Sequence, residues 1–495
     1  MSVTTQDPLP PAGNTESTSG RSALDRFFEI TQRGSTVKRE IIGGLTTFAT
    51  MSYIVVLNPL MIGTAPDKNG ELLGIHPVAS VTALLAAVLT IMMGIIGRVP
   101  FALATGLGLN AIVAFSVASK MSWAEAMGLV VIEGLIITVL VLTGFRTAVF
   151  RAIPAELKAA IAAGIGLFIA LIGFVDAGFV RGTGAASGPP VQLGSDTSLH
   201  GWPTVVFVFG LLLTGILVAR KVRGGILIGI VVSTVLAVIV DKIAKPGAAF
   251  VDGKPNPDGW RLNVPALPDP LFKGPDLHLV GNISFTAFAN VGVVTALLLV
   301  FTLVLTDFFD VMGTTVGLAK QAGLATKDGN DMPRLGRVLF VDGVAAVGGG
   351  ITNASSATTY VESSSGIGDG ARTGLASVVT GVLFLGALLL TPLVSLVPSE
   401  AAAPALVIVG AMMIAQVRDI DFKDLGVAIP AFLTMVMMPF TYSITDGIGA
   451  GFVSWVVIRA AQGKARQIHP LMWAVSAAFL LYFGINVVKA VTGIS

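Results

Sequence analysis

Cysteine is missing from the chain altogether, and histidine nearly so, with 4 in 495 residues. The first absence excludes disulfides, thiolate nucleophiles and cysteine-based metal centres. His76, His200, His278 and His469 are scattered and show no metal-ligand spacing. Charge is also scarce. Asp, Glu, Lys and Arg make up 12% of the residues and leave a net charge of +2, against about 25% charged residues in soluble domains. That balance gives no basic surface for a nucleic-acid partner. No G-x-x-x-x-G-K-[ST] sequence occurs, which excludes ATP-driven pumping by this chain alone. No catalytic constellation is legible, so an enzyme is not expected, and neither a metal nor a cofactor is implied. The first 22 residues are polar and rich in Pro, Ser and Thr, without the apolar core of a signal peptide.

What the chain has instead is apolar sequence. Hydrophobic residues account for 54% of it, and glycine contributes 58 positions. Uncharged runs of about 17–25 residues, enough to cross a hydrocarbon core of roughly 30 Å, recur along almost the whole length. The fold class expected is an all-α polytopic membrane protein. Its glycines suit close helix packing and broken helices. Lys and Arg cluster before the first span (Arg21, Arg26, Arg33, Lys38, Arg39), before the fifth (Arg146, Arg151, Lys158), between the sixth and seventh (Arg220, Lys221, Arg223) and between the eighth and ninth (Lys320, Lys327, Arg334, Arg337). All fall on one side if the N-terminus is cytoplasmic. An apolar stretch at 471–488 reads either as a further span or as an interfacial helix.

Asp307 and Asp310 interrupt an apolar run that spans 291–318. A carboxylate at the centre of a bilayer helix costs roughly 2.5–3.5 kcal/mol. Two on one helical face point to a substrate or ion site; the plainer alternative is that the helix ends at Thr306 and they cap it. A second anomaly is the polar stretch at 352–366. Arg337 and Arg372 are expected on one side with a single apolar crossing between them, so this stretch must lead back through the membrane. It can do so only if protein encloses it or it lines a cavity; the alternative is an ordinary loop in which Glu362 is incidental. Its counterpart in the first half is the Gly/Pro-interrupted segment 100–110, ending in Asn110. The sequences IPAE (153–156) and VPSE (397–400) repeat across the halves. Paired, interrupted segments in inverted halves mark a transporter's midplane site.

Asn110, Asp307, Asp310 and Glu362 therefore converge as the candidate site. Carboxylates accept hydrogen bonds from ring N–H groups and can hold a proton, and an amide both donates and accepts. The set suits a flat, neutral, amide-bearing heterocycle better than an anion. Phe101, Phe308, Phe309 and Tyr360 are candidates for an apolar wall. Glu133 and Asp342 lie inside spans and read as structural bonds to neighbouring helices or as secondary functional groups. Asp446 reads as a helix-start residue.

Several longer motifs carry a family resemblance: 27–30 (FFEI), 33–48 (RGSTVKREIIGGLTTF), 52–59 (SYIVVLNP), 104–111 (ATGLGLNA), 307–310 (DFFD), 358–363 (TTYVES) and 370–375 (GARTGL). The chain resembles the nucleobase–cation symporter-2 superfamily, in its azaguanine-resistance-type guanine/hypoxanthine/adenine branch. The resemblance implies about fourteen segments in two inverted repeats, with segments 3 and 10 each a short strand plus a half-helix. It implies a core domain (41–142 and 285–397) and a gate domain (150–240 and 398–461) within a transporter unit at 27–461. A disordered cytoplasmic tail (1–26) would precede the unit, and an apolar helix and tail (462–495) would follow it. The implied activity is import of hypoxanthine, guanine or adenine by proton symport with elevator-like alternating access. The setting would be a cell membrane, the bacterial inner membrane, and the assembly a homodimer. Carried over position by position, Asn110, Asp307, Asp310 and Glu362 match the family's substrate-site positions; with Phe309 and Tyr360 from the apolar wall they make up the expected substrate-binding set, and the three carboxyls Asp307, Asp310 and Glu362 are the expected proton-coupling groups. Where the family often has aromatics after the Asn-Ala pair, this chain has Ile112 and Val113. Uracil, xanthine or urate, or an inorganic anion on the same fold, are the competing cargoes.

Overall fold

The computed structural model describes the chain except residues 1–21, 144–152, 184–189, 195–197, 252–253, 262, 268–273, 326–331 and 493–495; of residues 250, 251, 254, 255, 309, 312, 313, 316 and 485–492 it describes the backbone alone. Helix α1 (Ala23–Phe28) starts inside the stretch assigned to the tail, capped by Ser22. Next come α2 (Val37–Met51) and α3 (Ile54–Ile62), broken at Ser52–Tyr53, and α4 (Ile75–Met92). Strand β1 (Leu103–Thr105) runs into the half-helix α5 (Leu107–Ala111), and α6 (Trp123–Leu142) follows. Helix α7 (Ala155–Asp176), the hairpin β2 (Val180–Gly182) and β3 (Val191–Leu193), α8 (Trp202–Ala219) and α9 (Gly225–Ala244) complete the first half.

The strand pair β4 (Phe250–Val251) and β5 (Lys254–Pro255) and the short α10 (Ala287–Asn290) lead to α11 (Val293–Gln321). Then come α12 (Leu335–Ile351), strand β6 (Ala357–Thr359), the half-helix α13 (Ser363–Gly368), α14 (Gly374–Ala387), α15 (Ser399–Met413), α16 (Leu425–Thr441), α17 (Ile444–Ala461) and α18 (Pro470–Thr492). Among the described residues, nine helices are long and apolar enough to cross a membrane, and four shorter apolar helices accompany them. The protein is an all-α, multi-pass membrane protein.

Two local features position the site. The first is the meeting of the interrupted segments: β1 and β6 pair antiparallel, Leu103 opposite Thr359, Ala104 opposite Thr358 and Thr105 opposite Ala357. The ladder continues at both ends, with Tyr360 N–H donating to the Ala102 carbonyl (2.9 Å) and Gly106 N–H to the Ser356 carbonyl (3.1 Å). Every residue of both strands is buried, which is how so polar a segment survives at membrane depth. The second is the seam between α6 and α12. A Cβ at Gly134 would lie 2.4 Å from the Val347 backbone nitrogen, and one at Gly350 would lie 2.8 Å from that of Val131. Glycine lets these two backbones touch, and the contact carries Glu133 and Asp342 in against β6.

At one end of the bundle, Glu29 gathers three guanidinium groups. Arg33 pairs with it at 2.8 Å, Arg98 lies 3.7 Å away, and Arg334 hydrogen-bonds it. Arg33 also donates to the backbone carbonyls of Arg98 (2.7 Å) and Arg372 (3.2 Å). Arg334 and Arg372 thus share one end of the molecule, as a returning 352–366 segment requires.

Candidate functional site

Helix α11 runs without interruption through Asp307 and Asp310 for 29 residues, so neither residue caps a helix ending at Thr306. It packs against β6 and both half-helices, α5 and α13. The two aspartates nevertheless differ. Asp310 is exposed, whereas Asp307 is fully buried. Asp310 is close enough to Glu362 for the two carboxyls to interact electrostatically. Glu362 is half-buried at the N-cap of α13, and its Oε1 accepts a hydrogen bond from Tyr53 Oη at 2.5 Å.

Asn110 lies in α5 with no exposed surface; its Nδ2 donates to Thr105 Oγ1 at 3.3 Å, and its Oδ1 has no protein partner. An unpaired buried amide oxygen costs about 1–3 kcal/mol, so it is a natural acceptor for a ligand N–H. Tyr360 is only 5% exposed, and its hydroxyl donates to the Thr105 carbonyl at 2.5 Å. It therefore ties β6 to β1, and the phenol is committed there.

The structure brings Asn110, Asp310, Glu362 and Tyr360 around the crossing of the two interrupted segments. Asp307 is fully buried. It borders a small cavity lined by Ile137, Val141, Phe308, Val311, Leu339 and Asp342. Phe308 belongs to that cavity, and Phe101 is fully buried in the core. The side chain of Phe309 lies outside the described residues. Glu133 and Asp342 bond to the β6 segment: Ser356 Oγ donates to Glu133 Oε1 (3.1 Å), and Thr359 N–H and Oγ1 donate to Asp342 Oδ1 (3.1 and 3.0 Å). Asp446 stands in the first turn of α17, whose N-cap is Ser443.

Tyr53 is the participant that polarity alone did not single out. A signal existed: it is one of 4 tyrosines, it sits within an apolar span, and a buried phenol needs a partner.

A pair of crossed, strand-plus-half-helix segments enclosed by membrane helices defines a secondary transporter fold. The transmembrane domain of a cyanobacterium bicarbonate transporter, BicA, matches it with a TM-score of 0.55 at 14% identity, over 84% of this chain and 97% of that domain. The anion transporter Slc26a9 of mouse, solved in the inward-facing state, matches with a TM-score of 0.57 at 11% identity, over 92% and 77%.

Sequence comparison narrows the class. The model of the "Permease family" matches residues 38–450, and the chain belongs to that family. The guanine/hypoxanthine permease PbuG of Bacillus subtilis (strain 168) is 41% identical over 93% of this chain and 99% of its own length. The adenine permease AdeP of Escherichia coli (strain K12) is 35% identical over 94% and 97%.

Proposed function

We propose that the protein is a secondary transporter of purine nucleobases (guanine, hypoxanthine or adenine) that works by proton symport. The observation that carries the reading is the buried, unpartnered Oδ1 of Asn110 on a half-helix packed against α11, whose Asp310 interacts with Glu362, in a chain similar over nearly its whole length to purine permeases. An amide-bearing purine offers ring N–H groups to the acceptors and a carbonyl or ring nitrogen to the Asn110 amide. Asn110, Asp310 and Glu362 bind the base. Tyr360 holds the two strands that present it. Asp307 serves proton coupling.

In this reading residues 41–142 and 285–397 form the moving core, and 150–240 and 398–461 the gate. The N-terminus is cytoplasmic, because Arg33, Arg98, Arg334 and Arg372 lie at one end. The protein acts in the cell membrane as a homodimer. An anion cargo is disfavoured by the acidic site, in which no Lys or Arg among the described residues pairs with Asp310 or Glu362.

The test is uptake of radiolabelled hypoxanthine, guanine, adenine, uracil and bicarbonate by a transport-deficient host, with and without a protonophore. Purine accumulation abolished by the protonophore is expected. Transport of uracil or bicarbonate in preference to every purine would overturn the reading.

A further inference from the structure

Against the β6 segment, α6 and α11 deliver carboxyls that the purine site does not use. Glu133 of α6 is fully buried; Ser356 satisfies its Oε1, and its Oε2 has no partner. Asp307 of α11 is equally buried. Thr358 offers the neighbouring hydroxyl, yet neither carboxyl oxygen makes a hydrogen bond of ordinary geometry. Asp342 of α12 closes the group, with its Oδ1 taken by Thr359. Asp307 interacts electrostatically with Asp342 and Glu133 more strongly than with Asp310, one helical turn away on its own helix.

The titratable groups that interact with Asp307 are therefore Asp342 from α12, Glu133 from α6 and, more weakly, Asp310 from α11, with hydroxyls of the β6 segment bonded to Glu133 and Asp342. Among the described residues no Lys, Arg or His pairs with Glu133 or Asp307, and no acidic cluster has the geometry to hold a metal ion. Burying an unpaired carboxylate costs several kcal/mol, and two such groups side by side do not both ionise.

We propose that Glu133 and Asp307 form a proton-binding site separate from the purine subsite, and that β6 transmits its occupancy to that subsite. The inference rests on the symport reading above and locates the coupling proton within it. The proton is held as an O–H on one of the two carboxyls and leaves as that carboxyl ionises.

The route of coupling is short. An ionised Glu133 holds the Ser356 hydroxyl, and a protonated one releases it. Ser356 also accepts the Gly106 N–H through its carbonyl. The residue opposite Ala357 is Thr105, whose hydroxyl accepts from Asn110 and whose carbonyl accepts from Tyr360. Two residues beyond Tyr360 stands Glu362. One segment thus touches the proton-binding carboxyls and, through its pairing with β1, the purine-binding groups.

The test uses the full-length protein in proteoliposomes with radiolabelled hypoxanthine and two readouts: counterflow exchange without a pH gradient, and accumulation driven by one. In wild type, accumulation is expected to follow the gradient; its absence would overturn the symport reading and this site together. In Glu133→Gln, the ratio of accumulation to counterflow should fall by about ten-fold or more, the equivalent of one pH unit of driving force. The pH dependence of counterflow should flatten, and Glu133→Asp should restore part of both. A wild-type ratio and pH profile in Glu133→Gln would overturn the proposal and leave symport standing. So would a proportional loss of both readouts, the mark of a merely structural residue. If Glu133→Gln is not recovered as a monodisperse protein, Ser356→Ala keeps the carboxyl and removes its hydrogen bond. The midpoint of its pH profile should then move upward by about one unit, and an unmoved midpoint overturns the proposal.

Discussion

The phenol of Tyr53 donates to the carboxylate of Glu362 at 2.5 Å, joining the break between α2 and α3 to the N-cap of α13 across 309 residues of sequence. Tyr53 is 1% exposed, so the bond fixes how Glu362 presents itself at the site. A hydrogen bond to a charged group contributes about 1.5–3 kcal/mol, or roughly 10- to 150-fold in affinity. Tyr53→Phe should therefore raise the KM for purine uptake by about one to two orders of magnitude while the amount of protein in the membrane stays constant. Glu362→Gln should abolish uptake or nearly so. An unchanged KM in Tyr53→Phe would mean that Glu362 is positioned by something else.

Asp307 and Asp310 are expected to fail in different ways. Asp310 is exposed and faces Glu362, whereas Asp307 is fully buried toward Asp342 and Glu133. Asp310→Asn should weaken purine binding, seen as a raised KM in counterflow. Asp307→Asn should leave the counterflow KM within about three-fold and remove gradient-driven accumulation. The reverse assignment of defects would contradict the geometry, as would full accumulation in both variants.

The contrast between these two residues shows where the sequence stopped being informative. Polarity inside an apolar run was enough to nominate Asn110, Asp307, Asp310 and Glu362, because the bilayer penalises every one of them. Charge parity was enough to require that 352–366 return through the membrane, and the burial of β6 fits that requirement. Linear spacing could not show which of two carboxyls one turn apart faces the ligand, since that depends on the rotation of α11 against α6 and β6. Nor could it show that Tyr53 reaches Glu362, or that Glu133 and Asp342 meet the β6 segment. The β1–β6 pairing decides those contacts, and it joins residues more than 250 positions apart.

Glu29 gives the fold a pH dependence of known sign. The hydrogen bond from Arg334, with Arg33 beside it, holds the Glu29 carboxyl below the usual carboxylate range. A depressed folded-state value means that the stabilisation is fully present above the unfolded value of about 4.3 and is lost as pH falls through the folded one. The Tm of the detergent-solubilised protein should exceed that of Glu29→Gln at pH 7, and the gap should close on acidification below about pH 4. A gap that widened on acidification would contradict the assignment.

Membrane topology follows from the arginine-rich end. Lys221 and Lys320 are exposed, and each stands at the end of a helix in a positively charged stretch. The chain contains no cysteine, so single cysteines report without background. Lys221→Cys and Lys320→Cys should react with an impermeant thiol reagent only from the cytoplasmic face. Val361, 53% exposed beside Glu362, is the better probe of the site. Thr358 in β6 is 1% exposed, and a cysteine there should label slowly whether or not purine is present. A cysteine at 361 should react at a moderate rate and be protected by hypoxanthine, because a ligand seated against Glu362 covers it. Labelling of position 320 from outside would reverse the orientation. Labelling of 361 that ignored purine would leave the orientation standing and remove Glu362 from the binding site.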